Sequence, residues 1–350
     1  MNLSKRAKRI GILTAGGDCP GLNAAIRGVG KTAIVEYGME VIGFRAGFLG
    51  LVNNEYIELK ESQLSGILTL GGTILGTSRE KPFKIDKNDN NSNSKEKPEL
   101  IKENYKNLGL NAIICIGGNG TMKTANMLSR EGLNVIGIPK TIDNDVWGTD
   151  VTFGFDSAVQ IAVEAIDRLH TTANSHQRVM IIELMGHHAG WLALYAGMAA
   201  GGDIILIPEL EYNIRSVCKK IEHRYEENKP YSIVVVAEGI KHPKNMTAGT
   251  YIAEAIHTYT EIETRETVLG YIQRGGSPTP NDRILATRYG AFAAQCIAKG
   301  DFGKMVALKD NRLSAVPLEE VGGKLRLVDP GFPLISKARK MGVSFGDEYL

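Results

Sequence analysis

The sequence predicts an α/β fold built as two interleaved α/β domains, with mainly parallel sheets covered by helices. Three observations carry that prediction. Short, continuously apolar runs alternate along the chain with apolar stripes at helical spacing, the pattern of parallel strands buried on both faces. Glycine pairs follow several of those runs directly, where a strand turns into a helix. At 350 residues the chain exceeds one typical core and suits two domains.

Taken in order, Ile10–Leu13 is the first strand, and Leu22, Ile26, Val29 and Ala33 line one stripe of the helix after it. The loop between them, TAGGDCPGLNAAIRG (Thr14–Gly28), ends the strand with Gly16 and Gly17 and begins the helix near Pro20 and Asn23. Inside that helix AIRGVGKT (Ala25–Thr32) imitates a phosphate-binding P-loop. Ala25 stands where the motif opens with glycine, and the stretch does not join a strand to a helix, so Lys31 is read as a surface or partner residue. A second glycine turn, GGTILGTSR, follows at Gly71–Arg79. Lys84–Glu99 breaks the rhythm: polar and without aromatics, it buries too little to offset its ordering entropy and reads as a mobile surface insertion, with a lid over a nucleotide as the alternative. Ala112–Ile116 is a wholly apolar strand, Gly117 and Gly118 follow, and a helix is expected from Thr121 with Met122, Ala125 and Leu128 on one face. Val135–Ile138 is the next strand. A helix at Ser157–His170 and strands at Val179–Ile182, Ile204–Ile207, Ile233–Val236 and Met305–Leu308 complete the alternation.

Composition excludes several classes of partner. The chain carries 41 basic and 39 acidic residues, a formal charge of +2, which gives no reason to expect nucleic acid or an anionic membrane surface. No apolar run approaches membrane-spanning length, and the apolar stretch after the basic start is too short for a signal-peptide core, so a cytoplasmic location is expected. Cys19, Cys115, Cys218 and Cys296 lie far apart and form no CxxC pair, as reduced structural thiols do. His176, His187 and His188 lack the spacing and the nearby carboxylates of a zinc site.

The chemistry concentrates in Gly117–Asp145. A glycine turn feeding a helix N-terminus offers backbone N–H groups and a positive dipole end to an anion. GGNGT is one such turn; the loop at Thr14, GGTILGTSR and QRGGSP are three more, and four together favour a polyphosphate ligand. On the next loop, IPKTIDND places Asp143 and Asp145 two residues apart beside Thr141 and Asn144. Such carboxylates divide their labour in phosphoryl transfer, one accepting a hydroxyl proton and one orienting Mg²⁺. Arg79, Arg178, Arg265 and Arg274 fall in loop-like positions, where guanidinium forks match phosphate oxygens.

These blocks resemble the phosphofructokinase family in order and over almost the whole chain, from about Arg9 to Leu350: LTAGGDCPGLNAAIRG, GGTILGTSR, IGGNGT, PKTIDND, EAIDRLHTTANSHQR, MGHHAGW and VLGYIQRGGSPTPNDR. The resemblance implies transfer of a phosphoryl group from Mg-ATP to the 1-hydroxyl of fructose 6-phosphate, a glycolytic step. It also implies a nucleotide-binding domain at 1–153 plus 273–322, a sugar-phosphate domain at 154–272 plus 323–350, and a homotetramer or homodimer with shared active sites. By position, Asp143 resembles the general base, Thr141 the hydroxyl that steadies the transferred group, and Asp145 with Asn119 the metal-orienting pair. Gly17, Arg79, Glu80, Gly118, Asn119, Gly120 and Thr121 resemble the nucleotide site. Thr141, Ile142, Asp143, Met185, Gly186, His187, Glu238, Arg265, Tyr271 and Arg274 resemble the sugar-phosphate site, with Arg178 entering from a neighbouring subunit.

The donor is set by two positions. Pyrophosphate-using relatives carry aspartate where this chain has Gly120, and lysine where it has Lys140. A carboxylate at 120 would occupy the place of a nucleotide α-phosphate, so Gly120 predicts ATP even though Lys140 matches the other pattern. Three departures mark the site: neutral Asn119 at an acidic position, His187 in place of arginine, and Tyr271 in place of histidine. Lys140 is expected to compensate for the cation lost at His187. At the positions of the family's effector site only Arg27, Lys31 and Lys229 keep positive charge, while His170, Glu227 and Tyr231 stand where cations are usual, so phosphoenolpyruvate should act weakly or not at all. The competing readings are the same catalyst using pyrophosphate, a relaxed kinase that also takes sedoheptulose 7-phosphate, a lipid or NAD kinase sharing the GGxGT loop, and a non-catalytic sugar-phosphate sensor.

Overall fold

The computed structural model describes residues 8–84 and 96–347. Most of the polar insertion expected at Lys84–Glu99 lies outside them, but its end does not: a helix, Glu96–Asn107, begins before Glu99. Pro98 suits a first turn, where its missing N–H is not needed, and buried Ile101 anchors the helix.

Twelve strands lie among the described residues: β1 Arg9–Thr14, β2 Glu40–Phe44, β3 Tyr56–Glu58, β4 Ala112–Gly117, β5 Val135–Thr141, β6 Phe153–Gly154, β7 Val179–Leu184, β8 Ile204–Leu206, β9 Ser232–Ala237, β10 Thr264–Val268, β11 Lys304–Lys309 and β12 Arg312–Pro317. The chain divides into two compact units. One comprises Met1–Thr141, Val146–Gly154 and Gly275–Leu325; the other comprises Ile142–Asp145, Phe155–Arg274 and Arg326–Leu350.

The first unit holds an eight-stranded sheet in the order β12-β11-β5-β4-β1-β2-β3, with β6 beside β5. Pairs β1–β2, β1–β4, β4–β5 and β5–β11 are parallel; only β3 and β12, at the two ends, run antiparallel to their neighbours. Strand order reverses between β1 and β4, and a crevice therefore opens at their carboxyl ends, where ligands settle in such sheets. On one face Leu13, Ile113, Met122, Leu128 and Met305 form a dry core. On the other, helices Leu22–Lys31 and Pro280–Lys299 press together: a Cβ on Gly28 would sit 2.6 Å from the Thr287 carbonyl oxygen, and one on Gly290 would strike that of Ala25. The P-loop imitation at Ala25–Thr32 is thus helix-packing glycine, and Lys31 pairs with Glu61 at 3.4 Å.

The second unit holds an all-parallel sheet, β10-β7-β9-β8, extended by a bridge from Ile204 to Ser344. Helix Phe155–His176 overruns its expected end at His170 by six residues, because the apolar pattern continues to buried Ala173. Ile142–Asp145 groups with this unit because Arg326 grips it: the Arg326 N–H donates to the Asp145 carbonyl at 2.8 Å and its guanidinium to the Asn144 carbonyl at 3.1 Å. All four cysteines are buried and unbridged.

Candidate active site

In the first unit three of the four glycine turns converge at the crevice. The Ala15 N–H donates to the Ile116 carbonyl at 2.9 Å, which ties the loop after β1 to the end of β4. Gly16, in the left-handed region at φ +83°, donates its N–H to the Ser78 carbonyl at 3.0 Å and accepts from the Thr77 hydroxyl at 2.6 Å. Buried Asn23 pins the second turn with its whole side chain. Its amide donates to the carbonyls of Leu70 and Gly71 at 3.1 and 3.2 Å, and its oxygen accepts the Ile74 N–H at 2.8 Å. Gly71 has no room for a side chain because the Gly276 carbonyl lies against it, and the Ser277 hydroxyl donates to the Thr69 carbonyl at 2.6 Å. GGTILGTSR and the GGSP of the fourth turn, residues 275–278, are therefore one packed structure.

The third turn is tighter than expected. The helix begins at Asn119 rather than Thr121, so only Gly118 separates it from β4. Its first-turn N–H groups have no intrahelical acceptor, and Gly118 supplies no side-chain cap. Thr121 is buried and donates to the Ala15 carbonyl at 3.4 Å. A Cβ on Gly120 would meet nothing within 4 Å. Arg79 is exposed, while Glu80 is held by Lys97 at 2.9 Å, so the helix that closes the insertion fastens this loop. Lys140 is buried at the end of β5, and its ammonium donates to the Gly17 carbonyl. Thr141 accepts the Thr152 hydroxyl on its carbonyl at 2.8 Å.

The second unit displays side chains instead. At the carboxyl ends of β7 and β9 lie Met185, Gly186, His187 and Glu238. The Met185 N–H donates to the buried side-chain oxygen of Gln273 at 2.8 Å, and the His187 N–H to Glu238 at 2.8 Å. Gly186 at φ +142° and His187 at φ +51° make the turn, with the Gly186 Cβ position only 2.5 Å from the Ala189 carbonyl oxygen. Tyr271 and Arg274 share a short helix, Gly270–Arg274, with the guanidinium 5.9 Å from the Tyr271 ring centre. Arg178 and Arg265 are elsewhere. They stand at the amino ends of β7 and β10 and share one carboxylate, Glu263, at 2.6 and 2.5 Å. The Arg178 hydrogen bond, aided by Arg265, holds the Glu263 carboxyl below its usual range. Seven residues of extended chain, about 20 Å, separate Arg178 from Met185.

The first unit thus gathers Gly17, Gly118, Asn119, Gly120, Thr121 and Lys140, with Arg79 and Glu80 on the adjoining turn. The second gathers Ile142, Asp143 and Asp145 on one loop, Met185, Gly186, His187 and Glu238 at one sheet edge, and Arg178 and Arg265 at the opposite edge. Sequence reasoning missed Glu263 and Gln273, which meet Arg178 and Met185 across 85 and 88 residues. It also passed over Arg326. Among the described residues no helix is long and apolar enough to cross a membrane.

Comparison with known proteins agrees with this architecture. The phosphofructokinase family model matches residues 9–297. ATP-dependent 6-phosphofructokinase 3 of Bacteroides thetaiotaomicron is 59% identical over 338 residues, covering 97% of this chain and 100% of its relative. ATP-dependent 6-phosphofructokinase of Spirochaeta thermophila is 55% identical over 358 residues, covering 97% and 98%. Among solved structures, phosphofructokinase from Saccharomyces cerevisiae superposes with a TM-score of 0.79 at 31% identity, covering 90% of this chain and 44% of the yeast chain.

Proposed function

This chain belongs to the phosphofructokinase family, and we infer that it is an ATP-dependent 6-phosphofructokinase, transferring the γ-phosphoryl of ATP to the 1-hydroxyl of fructose 6-phosphate in the glycolysis of the cytoplasm. Near-full-length relatives of that name carry the activity. The observation that supports the donor is Gly120: its Cβ position faces open space in the first turn of a helix whose N-terminus suits phosphate.

A loose, metaphosphate-like transition state asks for positioning and neutralised charge rather than covalent help. We assign the triphosphate to the Gly17 loop and the N-terminus at Gly118–Thr121, with Arg79 beside it. Lys140 adds a buried cation to that loop through Gly17. Asp143 takes the proton of the sugar 1-hydroxyl as that oxygen attacks the γ-phosphorus and the bond to the β,γ-bridging oxygen breaks to release ADP, and Thr141 steadies the moving group. Mg²⁺ keeps most of its waters and binds through phosphates with one or two protein oxygens. Asp145 with neutral Asn119 fits that sparse demand, and no cluster of three metal-ligating side chains occurs among the described residues. When bound, the ion neutralises charge on the β- and γ-phosphates.

The sugar phosphate we place at Met185, Gly186, His187, Glu238, Tyr271 and Arg274. Arg178 and Arg265, paired through Glu263 at the far edge of the sheet, serve that site from a second copy of the chain, which supports a homotetramer or homodimer with shared sites. Initial rates with fructose 6-phosphate and Mg²⁺, offering ATP and pyrophosphate separately, test the proposal. Turnover with ATP alone is expected; turnover with pyrophosphate alone would overturn the donor assignment.

A further inference from the structure

The loop Ile142–Asp145 carries both proposed active carboxylates, and its conformation is a special one. Asn144, between them, is buried and left-handed at φ +52°, a region that asparagine tolerates better than other residues with a Cβ and that turns the chain between the two acids. Within the second unit the loop is gripped by Arg326, which lies 182 residues along the chain from Asn144. Its N–H donates to the Asp145 carbonyl at 2.8 Å and its guanidinium to the Asn144 carbonyl at 3.1 Å. Two successive peptide groups of the loop are therefore fixed by one residue.

Arg326 is itself held on two other sides. Its guanidinium carbon lies 4.1 Å from the ring centre of Trp191, and its carbonyl accepts the indole N–H of the same Trp191 at 2.9 Å. Trp191 is buried, and its ring meets that of Phe332 edge-on at 5.1 Å. Behind them the Glu209 carboxylate accepts the N–H of Gly190 at 2.9 Å and that of Val328 at 2.9 Å, joining the residue before Trp191 to the strand of chain after Arg326. A planar guanidinium suits this place, since it can lie on an indole by its face while its edge donates to a carbonyl.

We propose that Arg326, stacked on Trp191, is a positioning residue for phosphoryl transfer: it sets the loop geometry that aims Asp143 and Asp145. This rests on the activity inferred above and adds a residue that no motif of the sequence marks. A misplacement of about 1 Å in a reacting group costs about 100-fold in rate without changing how substrates bind.

In the full-length enzyme, Arg326→Met is therefore expected to lower kcat by about 10- to 100-fold, with KM for ATP and for fructose 6-phosphate within about three-fold of wild type. Arg326→Lys keeps the charge but loses the fork and the stack, and should fall between. The chain has two tryptophans, so in a Trp147→Phe background Trp191 is the sole reporter, and Arg326→Met should change its emission intensity. Wild-type kcat in both variants, or a loss carried by KM, overturns the proposal; if Arg326→Met does not fold, Arg326→Lys decides by the same criteria. An inactive wild type would refute the activity instead, and the emission change would still read out the stack.

Discussion

The two units offer phosphate opposite kinds of group. In the first, the groups we assign to phosphate belong to the backbone, and buried polar side chains such as Asn23 and Thr14 hold that backbone still. The Thr14 hydroxyl donates to the Gly76 carbonyl at 2.7 Å, as Asn23 donates to Leu70 and Gly71. In the second, the groups we assign are side chains: Glu238, Tyr271 and Arg274 beyond the carboxyl ends of the strands, Arg178 and Arg265 at the amino ends. A backbone site demands glycine where the chain turns left-handed, as at Gly16, or where a carbonyl crowds it, as at Gly71. A side-chain site accepts exchange, and the departures His187 and Tyr271 both fall in it.

The sharpest break concerns the loop that carries the proposed base. Asp143→Asn preserves shape and removes proton acceptance, so kcat should fall by about 10²- to 10⁴-fold, the range of general-base contributions, with both KM values little changed. Steady-state kinetics with ATP and fructose 6-phosphate check this. A variant retaining a tenth of wild-type kcat would show that positioning alone carries the reaction.

Gly120→Asp tests the backbone side. The new side chain has open space, so the fold should survive with an unchanged unfolding midpoint. A carboxylate facing the triphosphate opposes binding by several kcal/mol, as like charges do. kcat/KM for ATP should therefore drop by about 100-fold or more, while KM for fructose 6-phosphate, bound by the side-chain site, stays put. Equal losses for both substrates would mean that the two sites are not built independently.

This contrast also explains what the sequence disclosed. Gly16 and Gly186 are required by left-handed turns, and Gly71 by a carbonyl pressed against it. The turn constraint is local, unlike the contact that Gly276 makes at Gly71, so the glycine blocks announce the phosphate loops. Strand alternation is equally local, and the α/β architecture followed from it. The start of the helix at Asn119 was displaced by two residues because Asn119 and Gly120 are weak helix formers whose place is set by β4. Tertiary polar pairs leave no periodic trace. Gln273 reaches Met185 across 88 residues, and Arg326 reaches Asn144 across 182. Glu263 reads as a surface acid until the fold brings Arg178 beside it.

The smallest effect is an absence of response. Phosphoenolpyruvate recognition needs uncommitted cations, and two of the three at the positions that resemble the family's effector site, Lys31 and Lys229, face carboxylates of this chain. In the second unit Lys229 pairs with Glu227 at 2.8 Å, and that hydrogen bond holds the Glu227 carboxyl below its usual range, so the acid stays charged at neutral pH. His170 sits 2.6 Å from the Ala200 carbonyl oxygen and 3.4 Å from the Tyr231 hydroxyl. In the first unit Lys31 already faces Glu61. An anion arriving at Lys229 would meet a carboxylate in the same place. Millimolar phosphoenolpyruvate should therefore shift half-saturation for fructose 6-phosphate by less than about two-fold. Glu227→Lys should raise that response, since it converts repulsion into attraction without touching the catalytic loops. A strong response in the wild type would show that side-chain sites in this unit bind anions without the charges counted here.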